Sequence, residues 1–264
     1  MIQKEGIEKL IKEEIMAFKS LLPNTLSRIE VRTDQVKKLL QLQHNFDCKS
    51  PNYLDVGSGV GILPSVMSRF GWNTYGIDDF RDNPKLIQIA NVISKRYNST
   101  ISVVSITEGS QLKAFLTDFD DEFFNIISFI DILEHIPNSP KTILQVLWKK
   151  LEKGGFFYFE IPNHAMLKNR IKLLAGKTTH PPYEYYWRNT PFRGHFREYT
   201  IGDCKELCRF MPALQIRELK TFHKLVHYSE YNRFLTLFYK SLCTFVPNSK
   251  DSIRLIIEKT GESK

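Results

Sequence analysis

The stretch "YLDVGSGVGIL" at residues 53–63 constrains the fold of this chain more than any other segment. A short apolar run contains Asp55 and is followed by Gly57, Gly59 and Gly61 at alternate positions. Glycine inside a regular element costs about 0.5–1 kcal/mol relative to alanine, so three of them indicate a turn with positive φ angles or a close approach to a ligand. The order predicts a strand, a tight turn and a helix N-terminus with unpaired N–H groups.

Residues 53–163 continue this pattern, because apolar strand-like runs alternate with segments of helix length. The runs "NIISFI" and "FFYF" are almost continuously apolar, which is typical of strands that are buried on both faces. Such alternation is the signature of βαβ units. The sequence therefore predicts an α/β fold with a parallel sheet and helices on both of its faces.

Two flanking regions complete the predicted organisation. Residues 1–50 read as helical: an amphipathic helix ends near Pro23, and a second helix begins with Thr33 as its cap before Pro51. We expect this segment to cover the cofactor or acceptor cleft, and a plain structural helix on the flank of the sheet is the alternative. Residues 51–264 form the main domain, which includes a basic and aromatic insertion at 164–200 of the length found in lids and binding loops.

Charge and cysteine content narrow the functional classes. The formal net charge of +8 favours an anionic partner such as a phosphate-bearing substrate, nucleic acid or an acidic membrane surface, with a merely solvated basic surface as the alternative. No apolar block in the first twenty residues has the length of a signal peptide or membrane span, and the four cysteines are scattered, so we expect a cytoplasmic protein. Two helically spaced pairs, Cys204 with Cys208 and His223 with His227, are weak zinc candidates, and we expect no metal.

The glycine pattern is DxGxGxG and not the dinucleotide fingerprint GxGxxG, because position 62 is Ile62. It resembles the first motif of the class I S-adenosylmethionine-dependent methyltransferases. "TYGIDDF", with Asp78 at the tip of the second strand, resembles the family's second motif, and an acid there can accept both ribose hydroxyls. "DEFFNIISFIDILEHIPNS" resembles its fourth strand and following loop, and "LEKGGFFYFEIPN" its fifth strand.

This resemblance implies a doubly wound Rossmann-like sheet of about seven strands, mostly parallel with the last strand antiparallel, and S-adenosyl-L-methionine as the cofactor. It places the insertion after the fifth strand. The adenine-contacting acid is in doubt, because "VVSITEGS" offers only a displaced glutamate. The cofactor-binding residues that the resemblance implies are Asp55, Gly57, Ser58, Gly59, Gly61, Asp78, Asp79, Glu108, Asp131 and Ile132.

"GHFREYT" is similar to a segment of the quinone-biosynthesis-like branch of this family, types 11 and 23. We expect O-methylation of a small molecule, such as an anionic or lipid-linked saccharide, a glycolipid precursor or a related metabolite. The alternatives are a nucleic-acid methyltransferase, which we do not expect, and a catalytically silent cofactor-binding module. Peripheral membrane contact and the oligomeric state stay open.

A general base is needed only if the acceptor is a hydroxyl. His195 is the first candidate, because it lies with Arg193, Arg197 and Tyr199 after a proline-rich turn and can titrate near neutral pH. The alternative is that His195 only packs within its loop. The other catalytic candidates are His164 and His135.

Overall fold

A computed structural model describes residues 4–17, 29–80, 85–107, 109–188, 192, 194–224 and 233–261. Within them the chain forms one seven-stranded sheet with the order β3-β2-β1-β4-β5-β7-β6. Its strands are β1 Asn52–Val56, β2 Asn73–Asp78, β3 Thr100–Val103, β4 Phe124–Ile130, β5 Leu151–Pro162, β6 Leu214–Phe222 and β7 Ser252–Lys259.

Helices flank this sheet in the alternating order that the sequence predicts. Their bounds are α1 Lys4–Ala17, α2 Ile29–Gln43, α3 Ile62–Ser68, α4 Leu86–Tyr97, α5 Gly109–Leu116, α6 Lys141–Lys150, α7 Leu167–Leu174, α8 Tyr183–Arg188, α9 Ile201–Arg209 and α10 Arg233–Phe245. A short 3-10 helix spans Leu133–His135 directly after β4.

The pairing of the strands confirms the predicted topology. β1 to β5 pair in parallel, whereas β7 is antiparallel to both of its neighbours, β5 and β6. The chain leaves β1 toward β2 and β3 and returns to β4 on the other side of β1. Ligands of open α/β sheets bind at such a reversal, beyond the carboxyl ends of the strands. The fold therefore places a site at the ends of β1 and β4.

The core explains why the central strands are so apolar. All seven residues of β4 are buried, and separate hydrophobic clusters cover the two faces of the sheet. Burying one large apolar side chain stabilises a fold by about 1.5–3 kcal/mol, so a strand without polar alternation is stable only between two such layers.

The N-terminal helices belong to one of these layers. Ile11 of α1 and Leu39 of α2 are fully buried in the cluster that includes Met67 of α3 and Tyr158 of β5. The helix expected to begin with Thr33 as its cap begins at Ile29 instead, so that prediction was wrong: Thr33 lies inside α2. A role of residues 1–50 as a cover stays a prediction.

Among the described residues, no helix is both long enough and apolar enough to cross a bilayer. Cys204 and Cys208 are free and buried, and burial raises the pKa of their thiols to about 12 and about 11. The expectation of no metal stays a prediction. His227 lies outside the described residues.

Candidate active site

The glycine loop follows β1 and has the positive φ angles that its sequence predicts. The φ values are 76° at Gly57, 56° at Gly59 and 83° at Gly61, and Gly61 caps the N-terminus of α3. The N–H groups of Gly57 and Ser58 donate to the carbonyl of Ile77 at 2.8 and 3.0 Å. These bonds hold the loop against the end of β2.

The three glycines of this loop differ in the space that surrounds them. A Cβ atom at Gly57 would lie 1.9 Å from Cδ1 of Ile132, and one at Gly61 would lie 2.5 Å from Cδ1 of Ile101. A Cβ atom at Gly59 would meet no heavy atom within 4 Å. Gly57 and Gly61 therefore permit close packing, whereas Gly59 borders the open space in which a cofactor can lie. The contact with Ile132 joins the loop after β1 to the loop after β4.

Asp78 lies at the end of β2 and accepts two backbone hydrogen bonds. The N–H of Gly59 donates to Oδ2 at 2.9 Å, and the N–H of Phe80 donates to Oδ1 at 2.8 Å. These two bonds hold the carboxylate at the end of β2, directly beside the glycine loop. Asp79, the next residue, is partly exposed beside it. This geometry fits the role that the resemblance implies for Asp78.

Asp55 points into the sheet. Its carboxylate is buried and accepts a hydrogen bond from the Ser128 hydroxyl of β4 at 2.5 Å, and Tyr53 contacts the same hydroxyl at 2.8 Å. Burial raises the pKa of Asp55 to about 6, although the bond from Ser128 opposes this rise. In the structure Asp55 thus ties β1 to β4 beneath the loop, and its predicted contact with the cofactor stays a prediction.

Asp131 follows β4 in a left-handed backbone conformation, with a φ of 56°. Nζ of the buried Lys224 lies 2.7 Å from both of its carboxylate oxygens and 3.3 Å from Glu160 at the end of β5. Burial alone would raise the pKa of Glu160, but Lys224 and Arg254 lower it to about 2. Lys224 thereby bridges the two acids, Arg254 supplies a second positive charge to Glu160, and the loop that carries Ile132 is fixed.

The end of the insertion returns to the same edge of the sheet. The N–H of Phe196 donates to the carbonyl of Glu134 at 2.7 Å, and the N–H of His164 donates to the carbonyl of Tyr199 at 2.8 Å. His135 Nδ1 lies 3.3 Å from the carbonyl oxygen of Gly194. These contacts fasten residues 194–199 to the 3-10 helix and to the end of β5.

All three predicted catalytic histidines meet at this junction. Nδ1 of His195 donates to Oε1 of Glu198 at 3.0 Å, and Nδ1 of His164 lies 3.6 Å from the other oxygen of Glu198. The rings of His135 and His195 have centroids 4.9 Å apart. The hydrogen bond to Glu198 raises the pKa of His195, while burial opposes the rise. Because Glu198 occupies Nδ1, Nε2 of His195 is the nitrogen that can take a proton.

Glu134 is a buried acid beside these rings. Among the described residues its carboxylate oxygens have no hydrogen-bond partner, and its nearer oxygen lies 3.9 Å from Nε2 of His135. Burial raises its pKa to about 7. Ligand-type atoms of Glu134, His135 and His195 lie within 4.8 Å of one another. Atoms bound to one zinc ion at about 2.1 Å span about 4.2 Å at most, so small side-chain movements would bring these three into coordination distance.

The structure also shows what the sequence interpretation missed. Gly76 lies inside β2, and a Cβ atom there would lie 2.6 Å from Oγ of Ser58, so a glycine within a strand was the available signal. Lys224 carried no local signal, because its partners Asp131 and Glu160 are distant in the sequence. Glu198 lies three residues after His195, so that spacing was a local signal that the sequence interpretation did not use. Glu108 and Arg193 lie outside the described residues.

Comparisons with known proteins agree with this geometry. The family model described as "Methyltransferase domain" matches residues 28–219. The mitochondrial ubiquinone biosynthesis O-methyltransferase of Dictyostelium discoideum is 26% identical over 173 residues, which cover 64% of this chain and 51% of that protein. The ubiquinone biosynthesis O-methyltransferase of Actinobacillus pleuropneumoniae is 29% identical over 64% of this chain and 68% of that protein. The chain spans about half the length of the first curated relatives it matches.

Solved structures show the same fold at low sequence identity. A methyltransferase of Archaeoglobus fulgidus that depends on S-adenosylmethionine has a TM-score of 0.52 at 14% identity, covering 86% of this chain and 94% of that one. One from Methanosarcina mazei has a TM-score of 0.53 at 16% identity, covering 83% and 97%. The matched domain, the sheet order and the glycine loop agree, and the chain belongs to the methyltransferase-domain family of class I fold, with S-adenosyl-L-methionine as its cofactor.

Proposed function

We propose that this protein transfers a methyl group from S-adenosylmethionine to a hydroxyl oxygen of a small molecule. The observation that carries the proposal is the convergence of His195 and His164 on Glu198, with the ring of His135 beside that of His195 and next to the loop of Asp131 and Ile132. A base at this position is what a hydroxyl acceptor requires. An acceptor that is already nucleophilic would have no use for it.

The cofactor, when bound, supplies a methyl group that is electrophilic without further activation. The protein's own task is therefore to orient the acceptor and to remove its proton. In the proposed arrangement Gly59 and Asp78 hold the cofactor, Nε2 of His195 takes the hydroxyl proton, and Glu198 stabilises the resulting imidazolium. His135 and His164 flank the same acceptor position.

The aromatic residues of the insertion favour an acceptor with an apolar ring. Ring contacts run from Phe196, beside His195, to Phe192 at 5.5 Å and on to Tyr186 at 5.1 Å between centroids. The curated relatives are named for ubiquinone biosynthesis, which supports a ring hydroxyl as the first acceptor class to test. The anionic or lipid-linked saccharide expected from the sequence finds no support among these relatives. It stays the alternative that the basic residues favour.

Glu134 favours a second candidate function of the site, which is to bind a divalent cation. A buried carboxylate without a hydrogen-bond partner costs several kcal/mol unless it is protonated or meets a cation. A divalent cation between Glu134, His135 and His195 would satisfy it and would lower the pKa of a bound hydroxyl. Chelation separates the two roles, because a histidine base keeps its activity in EDTA and a cation site loses it until the metal is restored.

The proposal is tested with labelled S-adenosylmethionine and a panel of catechol-type phenols, phosphorylated saccharides and RNA. Label should appear on the phenols as an alkali-stable methyl ether, identified by mass spectrometry. Transfer to RNA alone, or to nitrogen atoms alone, would overturn the proposal. The cytoplasmic location stays a prediction, since one relative is named as mitochondrial.

A further inference from the structure

The outward sides of α7 and α10 carry large apolar side chains in contact with solvent. Leu174 of α7 is 89% exposed and Phe245 of α10 is 81% exposed. Ile171 and Phe238 are exposed on the same two helices, whereas Asn169 and Cys243 on their opposite sides are buried. Exposed apolar residues that cluster on an amphipathic helix mark an interaction surface, unlike single scattered ones.

The two helices form one surface, which is called here the α7/α10 surface. The backbone N–H of Lys168, in the first turn of α7, donates to the Tyr239 hydroxyl of α10 at 3.1 Å. The guanidinium of Arg170 donates to the carbonyls of Pro247 and Asn248, which follow α10, at 2.9 and 3.3 Å. These bonds hold the start of α7 against α10 and the chain that follows it.

The position of the α7/α10 surface relates it to the active site. α7 follows the carboxyl end of β5, and α10 precedes β7, whose first residue Ser252 pairs with Pro162 at that end. Both helices therefore lie at the edge of the sheet where the cofactor and acceptor residues meet. Whatever binds this surface will lie close to the acceptor entrance.

The positive charge around the α7/α10 surface indicates which class of partner it binds. Residues 164–188 contain five lysines and arginines against one glutamate, and residues 233–250 contain three basic residues and no acid. Two copies of such a positive surface would repel each other, which disfavours self-association. A nucleic acid would use the positive charge but would leave Leu174 and Phe245 exposed. An anionic bilayer can bind both kinds of group. Its phosphates attract the basic residues, and the boundary of its acyl chains accommodates the apolar side chains.

We propose that the α7/α10 surface docks on membranes that contain anionic phospholipid, with α10 lying in the plane of the interface. Docking brings the carboxyl edge of the sheet to the lipid surface, so amphipathic acceptors enter from the interface. Vesicle binding is measured without methyl transfer, and it stands or falls separately from the proposed reaction.

The test is co-sedimentation with two kinds of vesicle, one of phosphatidylcholine alone and one that also contains about 30 mol% of the anionic lipid phosphatidylglycerol. Wild-type protein should sediment with the anionic vesicles and be released by high salt. The double variant L174S/F245S should bind at least tenfold more weakly. F210S is the matched control: Phe210 is also 81% exposed but precedes β6 at the opposite edge of the sheet.

Thermal melting shows whether each variant is folded. All the substituted side chains are exposed, so the melting temperatures should stay close to that of the wild type. Equal binding to neutral and anionic vesicles, or an equal loss in F210S, would overturn the proposal. A dimer that L174S/F245S dissociates, without vesicle binding by the wild type, would overturn it in favour of self-association.

Discussion

The two halves of the active site differ in how the chain builds them. In the cofactor half, residues 57–61 and Asp78 are neighbours along two adjacent strands, and backbone N–H groups set their geometry. In the acceptor half, His135, His164 and His195 come from three separate segments and meet only because residues 194–199 return to the sheet edge. Substitutions in the cofactor half should therefore weaken cofactor binding. Substitutions in the acceptor half should lower turnover and leave cofactor affinity unchanged.

The largest effect is expected in the acceptor half. Replacing His195 by alanine removes the proposed base, and general base catalysis is worth about 10²- to 10⁴-fold in rate. We expect kcat to fall at least a hundredfold while calorimetry shows unchanged affinity for S-adenosylmethionine. H44A, at the exposed end of α2, is the control and should keep full activity.

The rival histidines are compared in the same assay. H164A and H135A should each reduce kcat less than H195A, because Nδ1 of His195 donates to Glu198 at 3.0 Å, whereas Nδ1 of His164 lies 3.6 Å from that carboxylate. A larger loss in either rival would transfer the role of the base to that residue.

In the cofactor half, a substitution that adds one methyl group at Gly57 is expected to have the next largest effect. In G57A the new Cβ atom overlaps Ile132, and alanine must adopt a φ of 76°. Left-handed backbone costs about 1–2 kcal/mol and overpacking about 1–3 kcal/mol, so the free energy of unfolding should fall by about 2–5 kcal/mol, and the displaced loop should bind the cofactor more weakly. G59A adds the same kind of strain without an overlap, and it should weaken binding less unless the cofactor itself contacts that Cβ atom. Equal melting temperatures of the two variants would contradict the packing argument.

Asp78 should give the next effect. D78A removes a charged acceptor from the cofactor and from the N–H groups of Gly59 and Phe80. Hydrogen bonds to a charged group contribute about 1.5–3 kcal/mol, so calorimetry should show at least tenfold weaker S-adenosylmethionine binding. Unchanged affinity in a folded D78A variant would show that the ribose lies elsewhere.

The smallest effect concerns pH. His195 must be neutral to accept a proton, so the rate falls as the pH drops through its pKa, which Glu198 raises. Glu134 and Asp131 face the same ring and act in the same direction. E198Q removes the nearest charge, so the acid limb of kcat/KM should move to lower pH. If the acid limb of kcat/KM lies at the same pH in E198Q as in the wild type, a group other than His195 controls it.

Local patterns predicted most of the fold and half of the site. The glycine loop, Asp78 and the apolar runs of β4 and β5 are readable because each depends on residues within one βαβ unit. The prediction of Thr33 as the cap of α2 was wrong because Thr33 lies inside the helix, where the packing of Val36 and Leu39 in the core outweighs the local preference of threonine for a cap. The pairs of Lys224 with Asp131 and of Glu198 with His164 could not be predicted, since each joins segments whose approach only the complete fold determines.

One measurement tests most directly whether the two halves form a single site: the structure of the protein with S-adenosylhomocysteine and a phenolic acceptor. A reacting oxygen lies about 3–3.5 Å from the methyl position and about 3 Å from its base, so Nε2 of His195 should lie within about 6.5 Å of that position. Asp78 should contact the ribose in the same complex. A cofactor bound at Gly59 and Asp78 with the His195 ring well beyond that distance, and residues 194–199 still fastened to Glu134, would contradict the account.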